Sequence, residues 1–426
     1  MWRGPGLFPL VLALALAVRL PWLPAEGYAG DVLMYAGWGA YVADHGLGPA
    51  YATQDFTHGP VWPALAGGVS WLWTHVAGWA GVPARPVPHP LIKLPPLIAD
   101  LLIGWLIYRA ARLRRSPGAG SALAALYLFN PGVVLDSAWW GQTDALAALW
   151  VVAGVLALAT GRPGAASAGA ALALLTKLQT YFLAPLTAVV LARCGGWKAL
   201  ARGVGAAIVA ALVVSAPLIV AGTVLDLPAR YAHLVDRHPT VHVNAFNLWW
   251  LGREWSGNRL PDATLLVGPW SFKQVGLFLV IVYSGAVLAW LWWRFDLRDI
   301  PLTAACLAMA FFMLPTQIHS RYLFPVLPLL LVASVNRPRL LIAYSILSAT
   351  FLLNQLHLIL RASGPPPAWL DATEAMGLST TLLAWANVAT FLALTSLLLR
   401  PRASLSAGLA RSVPASGTPA PARARS

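Results

Sequence analysis

A lone carboxylate beside a glycine is the first residue in this chain that could do chemistry. Asp31 stands in Gly30-Asp31-Val32-Leu33-Met34-Tyr35, just beyond the first apolar run. Glycine before aspartate permits a tight turn, and a helical pattern follows through Tyr41, so Asp31 is a candidate helix cap. A carboxylate held at such a boundary is also a candidate general base toward a hydroxyl group. Downstream, Asp136 precedes Trp139-Trp140-Gly141-Gln142-Thr143-Asp144. The two indoles offer faces on which a sugar could stack, and Gln142 and Asp144 offer acceptors for its hydroxyls. An interfacial tryptophan belt with a helix cap would use the same residues.

Cations come from two other places. Lys177 ends Leu174-Leu175-Thr176-Lys177, and Pro315-Thr316-Gln317-Ile318-His319-Ser320-Arg321-Tyr322 turns between two apolar runs. Arg321 and His319 at that turn can hold a phosphate, with Lys177 as a second cation; the alternative for Lys177 is a lysine snorkelling to an interface. Asp55, His58 and Lys93 fall at the same ends of the apolar runs without a distinctive motif. His233, His238 and His242 have a spacing that could ligate a metal on a helix, but Pro239 interrupts it and no HExxH accompanies it, so no metal site and no cofactor are expected.

The elements that must position these groups are membrane helices. Hydrophobic residues make up 58% of the 426 residues and charged ones only 10%, an apolar excess that no single soluble core could enclose. About twelve runs approach the roughly 20 residues that cross a bilayer. They are Leu7–Leu23, Leu94–Ala111, Ser121–Leu135, Ala145–Thr160, Ala165–Thr176, Tyr181–Ala192, Val204–Thr223, Gln274–Trp293, Pro301–Leu314, Tyr322–Val335, Leu340–Leu360 and Thr380–Leu399. The expected fold class is therefore an all-α polytopic membrane protein.

Charge sets the expected orientation. The net charge of +14 would suit a nucleic-acid binder if it lay on one soluble face, yet the arginines cluster between spans. With the N-terminus inside, Arg109 to Arg115, Arg193 to Arg202, Arg294 with Arg298, Arg337 with Arg339, and the tail arginines all face the cytoplasm, as the positive-inside rule requires. Nucleic acid is not an expected partner; membrane lipid is. The apolar run Val61–Trp79 would invert this order if it crossed, and Pro63, Gly67 and Gly68 interrupt it. It is expected to lie at the outer interface. Residues 24–93 then form a long first external loop and 224–273 a second. Residues 1–400 are expected to form one transmembrane domain, and 401–426 a disordered cytoplasmic tail rich in Ala, Ser, Pro and Arg. Asp31, His58, Lys93, Asp144, Lys177, His319 and Arg321 all reach the external side, as for a cavity opening outward. Cys194 and Cys306 offer no disulfide framework.

In this order and topology the motifs resemble the GT-C superfamily of membrane glycosyltransferases, and are similar to its polyprenyl-phosphate-mannose-dependent bacterial members. The likeness runs to about Asn336. It is carried by Gly30-Asp31 with Tyr35, by Lys93-Leu-Pro-Pro-Leu-Ile-Ala-Asp100, by Asn130-Pro131, by Trp140-Gly141-Gln142 with Asp144, by the Lys177 hairpin and by His319-Ser320-Arg321-Tyr322. The resemblance implies a GT-C-like fold whose two large external loops contain interfacial helices. It implies inverting transfer of a sugar, mannose first, from a polyprenyl-phosphate donor to a hydroxyl of a lipid-, glycan- or protein-linked acceptor outside the cytoplasm. Asp31 takes the catalytic position; Lys177, Arg321 and His319 the donor phosphate; Tyr35, His58, Lys93, Trp139, Trp140, Gln142 and Asp144 the substrates. Relatives often carry a second acid near the first, and its lack here weighs against a divalent metal. A transporter or flippase for a phosphorylated lipid is the competing class, and a lipid-linked glycan ligase the nearer variant. A transporter would favour ionisable residues at mid-span and paired broken spans, whereas here the ionisable groups sit at external ends.

Overall fold

The computed structural model describes residues 6–28, 30–235, 237–252, 260–362 and 378–400. The tail expected to be disordered lies outside these residues. Every one of the twelve apolar runs falls on helix, but among the described residues only five helices are long and apolar enough to cross a membrane: Leu94–Arg114, Leu178–Val220, Phe272–Trp293, Leu340–Arg361 and Ser379–Leu399. A bent pair, Pro117–Leu128 with Pro131–Trp140, makes a sixth if the two halves are one span. Two runs expected as separate spans share the helix Leu183–Val220, whose backbone leaves helical geometry at Gly196.

The shorter apolar helices divide by what surrounds them. Ile300–Met313 and Val326–Ser334 are buried almost all round, so protein rather than lipid satisfies their apolar surface. Phe272–Trp293 and the second half of Leu183–Val220 instead leave rows such as Phe278, Ile281 and Val282, and Val209, Leu212 and Val213, exposed on the outside. Apolar side chains on the outside of an apolar helix need lipid as their solvent.

The run expected as the unbroken span Ser121–Leu135 is in fact bent by 53°. Pro131 cannot continue the preceding helix, and Asn130 restarts it: its Oδ1 accepts from the amides of Gly132 at 3.0 Å and Val133 at 3.4 Å. Its Nδ2 donates to the Tyr344 hydroxyl at 3.0 Å and Ser348 Oγ at 2.9 Å, which pins the bend to the helix Leu340–Ala362. The chain then widens into one π-helical turn, Leu135–Trp140, a geometry that recurs at functional sites. A buried network holds this turn from below. Asp100 pairs with Arg19 at 3.2 Å, both fully enclosed, and accepts from Tyr127 at 2.8 Å and from Ser137 within the turn. Removing one member of such a pair strands a charge and costs about 3–5 kcal/mol.

Val61–Ala80 forms one helix and is not among those apolar and long enough to span. It packs along Asp31–His45, burying Trp62, Ala66 and Ser70 and leaving Trp71, Leu72 and Trp79 exposed. The second large loop is mixed rather than purely helical. It carries the helix Asp226–Val235, the 3-10 turn Leu248–Gly252 and a two-stranded antiparallel hairpin, Leu265–Val267 with Trp270–Ser271.

Candidate functional site

The site is built where four chain segments meet: the start of Asp31–His45, the π turn with Gly141 to Asp144, the hairpin at Lys177, and the turn at His319 to Tyr322. Gly30 takes φ +76°, and the helix begins at once with Asp31 as its first residue. Gly30, not Asp31, holds the N-cap position, and the Asp31 carboxylate bonds side chains of the π turn and of the segment after it instead. Trp140 Nε1 donates to Asp31 Oδ2 at 2.9 Å, and Gln142 Nε2 donates to the same oxygen at 2.6 Å. Asp31 Oδ1 has no hydrogen bond among the described residues, and the residue is partly exposed. The Tyr35 hydroxyl donates to Gln142 Oε1 at 3.3 Å and braces the far end of that amide.

Gly141 makes this approach possible. Its φ is +78°, and a Cβ there would stand 2.9 Å from Val32 Cγ2 and 3.1 Å from Lys93 Cε. Any other residue would strain the backbone and push the tryptophan segment off Asp31.

Asp144 opens the helix that follows and is fully buried. Lys177 Nζ donates to its Oδ2 at 2.8 Å and Gln179 Nε2 to its Oδ1 at 2.8 Å. Arg321 Nε lies 3.8 Å from Oδ2, and the guanidinium carbon stands 5.7 Å from the centre of the Trp140 ring and 5.9 Å from that of Tyr322. Among these three groups two cations share one carboxylate, leaving a net positive charge. Burial, then the Arg321 charge, pull the Lys177 amine below the ordinary lysine range, while Asp144 opposes them.

The second large loop secures the arginine turn. His319 makes backbone bridges to Val243 and Asn244, and Asp262 Oδ2 accepts from Thr316 Oγ1 at 2.9 Å and Gln317 Nε2 at 2.8 Å. The His319 ring packs against His238 at 5.0 Å and Tyr322 at 5.3 Å. Burial first, then Arg321, push His319 well below the ordinary histidine value, so it is neutral at pH 7. His58 is held well below the ordinary histidine value by burial first, then by the charges of Lys177 and Arg321. Its Nε2 hydrogen-bonds Thr143 Oγ1 at 2.9 Å, which ties the first loop to the segment between Gln142 and Asp144.

The structure thus gathers Asp31, Tyr35, Trp140, Gln142, Asp144, Lys177, His319 and Arg321, with His58 one residue removed through Thr143. Trp140 is wholly buried, its N–H on Asp31 and its face toward Arg321, with no open surface for a sugar; Trp139 is partly exposed. Lys93 is buried and reaches backbone oxygens, donating to Ala25 at 2.6 Å, Trp139 at 2.7 Å and Trp22 at 3.4 Å. It straps the first loop to the π turn. Asp55 pairs with the loop residue Arg237 at 2.9 Å, not with any of the gathered groups. Among the described residues no cluster of three or more His, Cys, Asp or Glu is placed to hold a metal.

Sequence reasoning missed Tyr28, whose half-buried ring lies 4.9 Å from Trp140, and the roles of Gln179 and His238. Tyr28 stands three residues before Asp31 but carries no spacing signal. Gln179 follows Lys177 by two; Lys177 is extended and Gln179 lies in the 3-10 turn Leu178–Thr180 that follows it, and the two reach different oxygens of Asp144.

No protein-family model and no curated protein matches this chain. Among solved structures it is similar to the apo crystal structure of ArnT from Cupriavidus metallidurans, with a TM-score of 0.51 and 17% identity over 92% of this chain and 76% of that one. The crystal structure of the same protein bound to undecaprenyl phosphate aligns with a TM-score of 0.48 and 16% identity over 93% and 77%. The apo comparison shows the fold alone: this chain has a fold similar to that of ArnT.

Proposed function

From a GT-C fold, we propose that this protein is an inverting glycosyltransferase that moves a sugar from a polyprenyl-phosphate donor to an acceptor hydroxyl on the extracytoplasmic face of the membrane. Mannose is the sugar proposed first, and the acceptor is a lipid-, glycan- or protein-linked hydroxyl. The observation that carries the reading is a partly exposed carboxylate with one oxygen held by two donors and the other without a hydrogen bond among the described residues, joined through Trp140 to an arginine that shares a single buried acid with Lys177.

The chemistry follows from those positions. Asp31 Oδ1 accepts the proton of the acceptor hydroxyl while that oxygen attacks the anomeric carbon, and the bond from that carbon to the phosphate oxygen breaks with its electron pair. The donor is a phosphodiester with one negative charge, which the excess charge of Lys177, Arg321 and Asp144 matches. The departing polyprenyl phosphate gains a second negative charge, and the pre-placed cations meet it as it forms. Holding lipid and acceptor together supplies much of the remaining acceleration. Because the two cations take the role a divalent ion would play, the proposed reaction requires no metal.

Purified protein in sealed proteoliposomes, given radiolabelled polyprenyl-phosphate sugars and a panel of acceptors, tests the reading. Glycosyl transfer with release of polyprenyl phosphate is expected. Movement of intact lipid across the bilayer without transfer from any donor would replace it with a flippase.

A further inference from the structure

Two parts of the proposed reaction, base and phosphate clamp, lie on different chain segments, Asp31 on the first external loop and Arg321 on the turn near residue 320. One side chain touches both. Trp140 Nε1 donates to Asp31 Oδ2 at 2.9 Å, and the face of the same indole stands 5.7 Å from the Arg321 guanidinium carbon. The ring is wholly buried and is flanked by Tyr28 at 4.9 Å, so it has little freedom to reorient. Its backbone is fixed as firmly: the carbonyl before it accepts from Lys93, and the π turn it ends is closed by the Gln142 amide on Asp136 O at 2.9 Å. Arg321 needs this contact, because its Nε finds no hydrogen bond within the described residues and lies 3.8 Å from Asp144. An aromatic face beneath a guanidinium attracts it while leaving its N–H edges available to an anion.

We infer that Trp140 is the positioning residue that sets the spacing between the base and the phosphate-binding cation, its N–H aiming Asp31 and its ring face aiming Arg321. Gln142 is its partner in aiming the base, donating to the same Asp31 oxygen, and the Tyr35 hydroxyl braces the Gln142 amide at Oε1. The two functions of the indole are chemically distinct and can be removed one at a time. Trp140→Phe keeps an aromatic face and deletes the N–H; Trp140→Leu deletes both. This inference rests on the glycosyltransferase reading.

The experiment measures transfer kinetics with the polyprenyl-phosphate sugar that the wild-type protein accepts, together with binding of undecaprenyl phosphate alone to the same full-length proteins in nanodiscs. Trp140→Phe is expected to lower kcat about 10- to 100-fold, the size typical of a mis-set general base, with undecaprenyl phosphate binding within about 2-fold of wild type. Trp140→Leu is expected to lower kcat as far and also weaken undecaprenyl phosphate about 5- to 30-fold, the range of a desolvated cation–π contact. Tyr35→Phe loses a single hydroxyl, so it provides the same reading if either tryptophan variant misfolds: kcat falls about 3- to 10-fold and phosphate binding stays. If wild-type transfer is present and Trp140→Phe keeps its kcat, or if Trp140→Phe and Trp140→Leu weaken phosphate binding equally, the inference is overturned and the function stands. If wild-type protein transfers no sugar from any donor, the functional reading falls and takes the inference with it.

Discussion

Asp144→Asn should destabilise the protein and at the same time tighten its hold on a lipid phosphate. Asp144 is fully buried and faces Lys177 at 2.8 Å and Arg321 at 3.8 Å. At an effective dielectric near 20, contacts at such distances carry roughly 4–6 kcal/mol of gross attraction each, much of it offset by desolvation. Replacing the carboxylate by an amide of equal size leaves two cations facing each other without a counter-ion, and about 3–5 kcal/mol of stability is expected to be lost. Lys177→Met should cost less, about 2–3 kcal/mol, because Asp144 keeps Gln179 and Arg321. The double variant should be no worse than Asp144→Asn alone, giving a coupling of at least about 2 kcal/mol. The assay is the fraction of monomer surviving graded heating in detergent, repeated with undecaprenyl phosphate. The lipid should rescue Asp144→Asn more than wild type, since it restores the missing negative charge and binds the folded state selectively. Additive single-variant effects, or a lipid that protects both proteins equally, would refute the shared-counter-ion account.

Other expectations can be checked in parallel. Asp31→Asn should lower turnover by roughly a thousandfold or more while undecaprenyl phosphate still binds, because the amide keeps the shape and cannot take the proton; near-normal turnover would remove Asp31 from the mechanism. His58 and His319 both sit below the ordinary histidine value of 6.5 because of burial, so the unfolded chain takes up protons that the folded one refuses. Stability is therefore full above about pH 6.5 and falls as the pH drops from there toward 5, and His58→Gln should flatten part of that slope in heating assays. A membrane-impermeant maleimide should label Val82→Cys in intact cells and reach Cys194 only after permeabilisation; the reverse would require the topology to be redrawn. Turnover should persist in excess EDTA, and its loss with recovery on adding a divalent ion would show that the two cations do not suffice.

The one-dimensional pattern was informative about solvent and much less so about crossings. Apolar runs such as Gln274–Trp293 and Leu340–Leu360 became helices almost at the boundaries read from composition, because an 18- to 22-residue apolar segment with few charges has few alternatives to helix. Runs such as Pro301–Leu314 and Tyr322–Val335 looked the same in sequence, yet their helices are enclosed by protein. Hydropathy cannot tell a lipid-facing helix from a core helix, since both present only apolar groups. The break at Asn130-Pro131 was visible as two residues; the 53° bend also needed Tyr344 and Ser348 from the far end of the chain.

For the candidate site, the residues with the chemistry were legible in one dimension: a carboxylate after glycine, a Trp-Trp-Gly-Gln-Thr-Asp run, a lysine at a hairpin, an arginine at a turn. Residue type is a local property, and glycine at positions 30 and 141 announced the turns locally too. Only the tertiary structure decided what each would face. It took Lys93 for three backbone carbonyls, took Trp140 from an open stacking surface and set it between Asp31 and Arg321, and gave Lys177 and Arg321 the same acid. Those partners lie 33 to 177 residues apart along the chain in the contacts with Asp144, and no local spacing encodes a pairing that exists only once the helices carrying its two ends have packed.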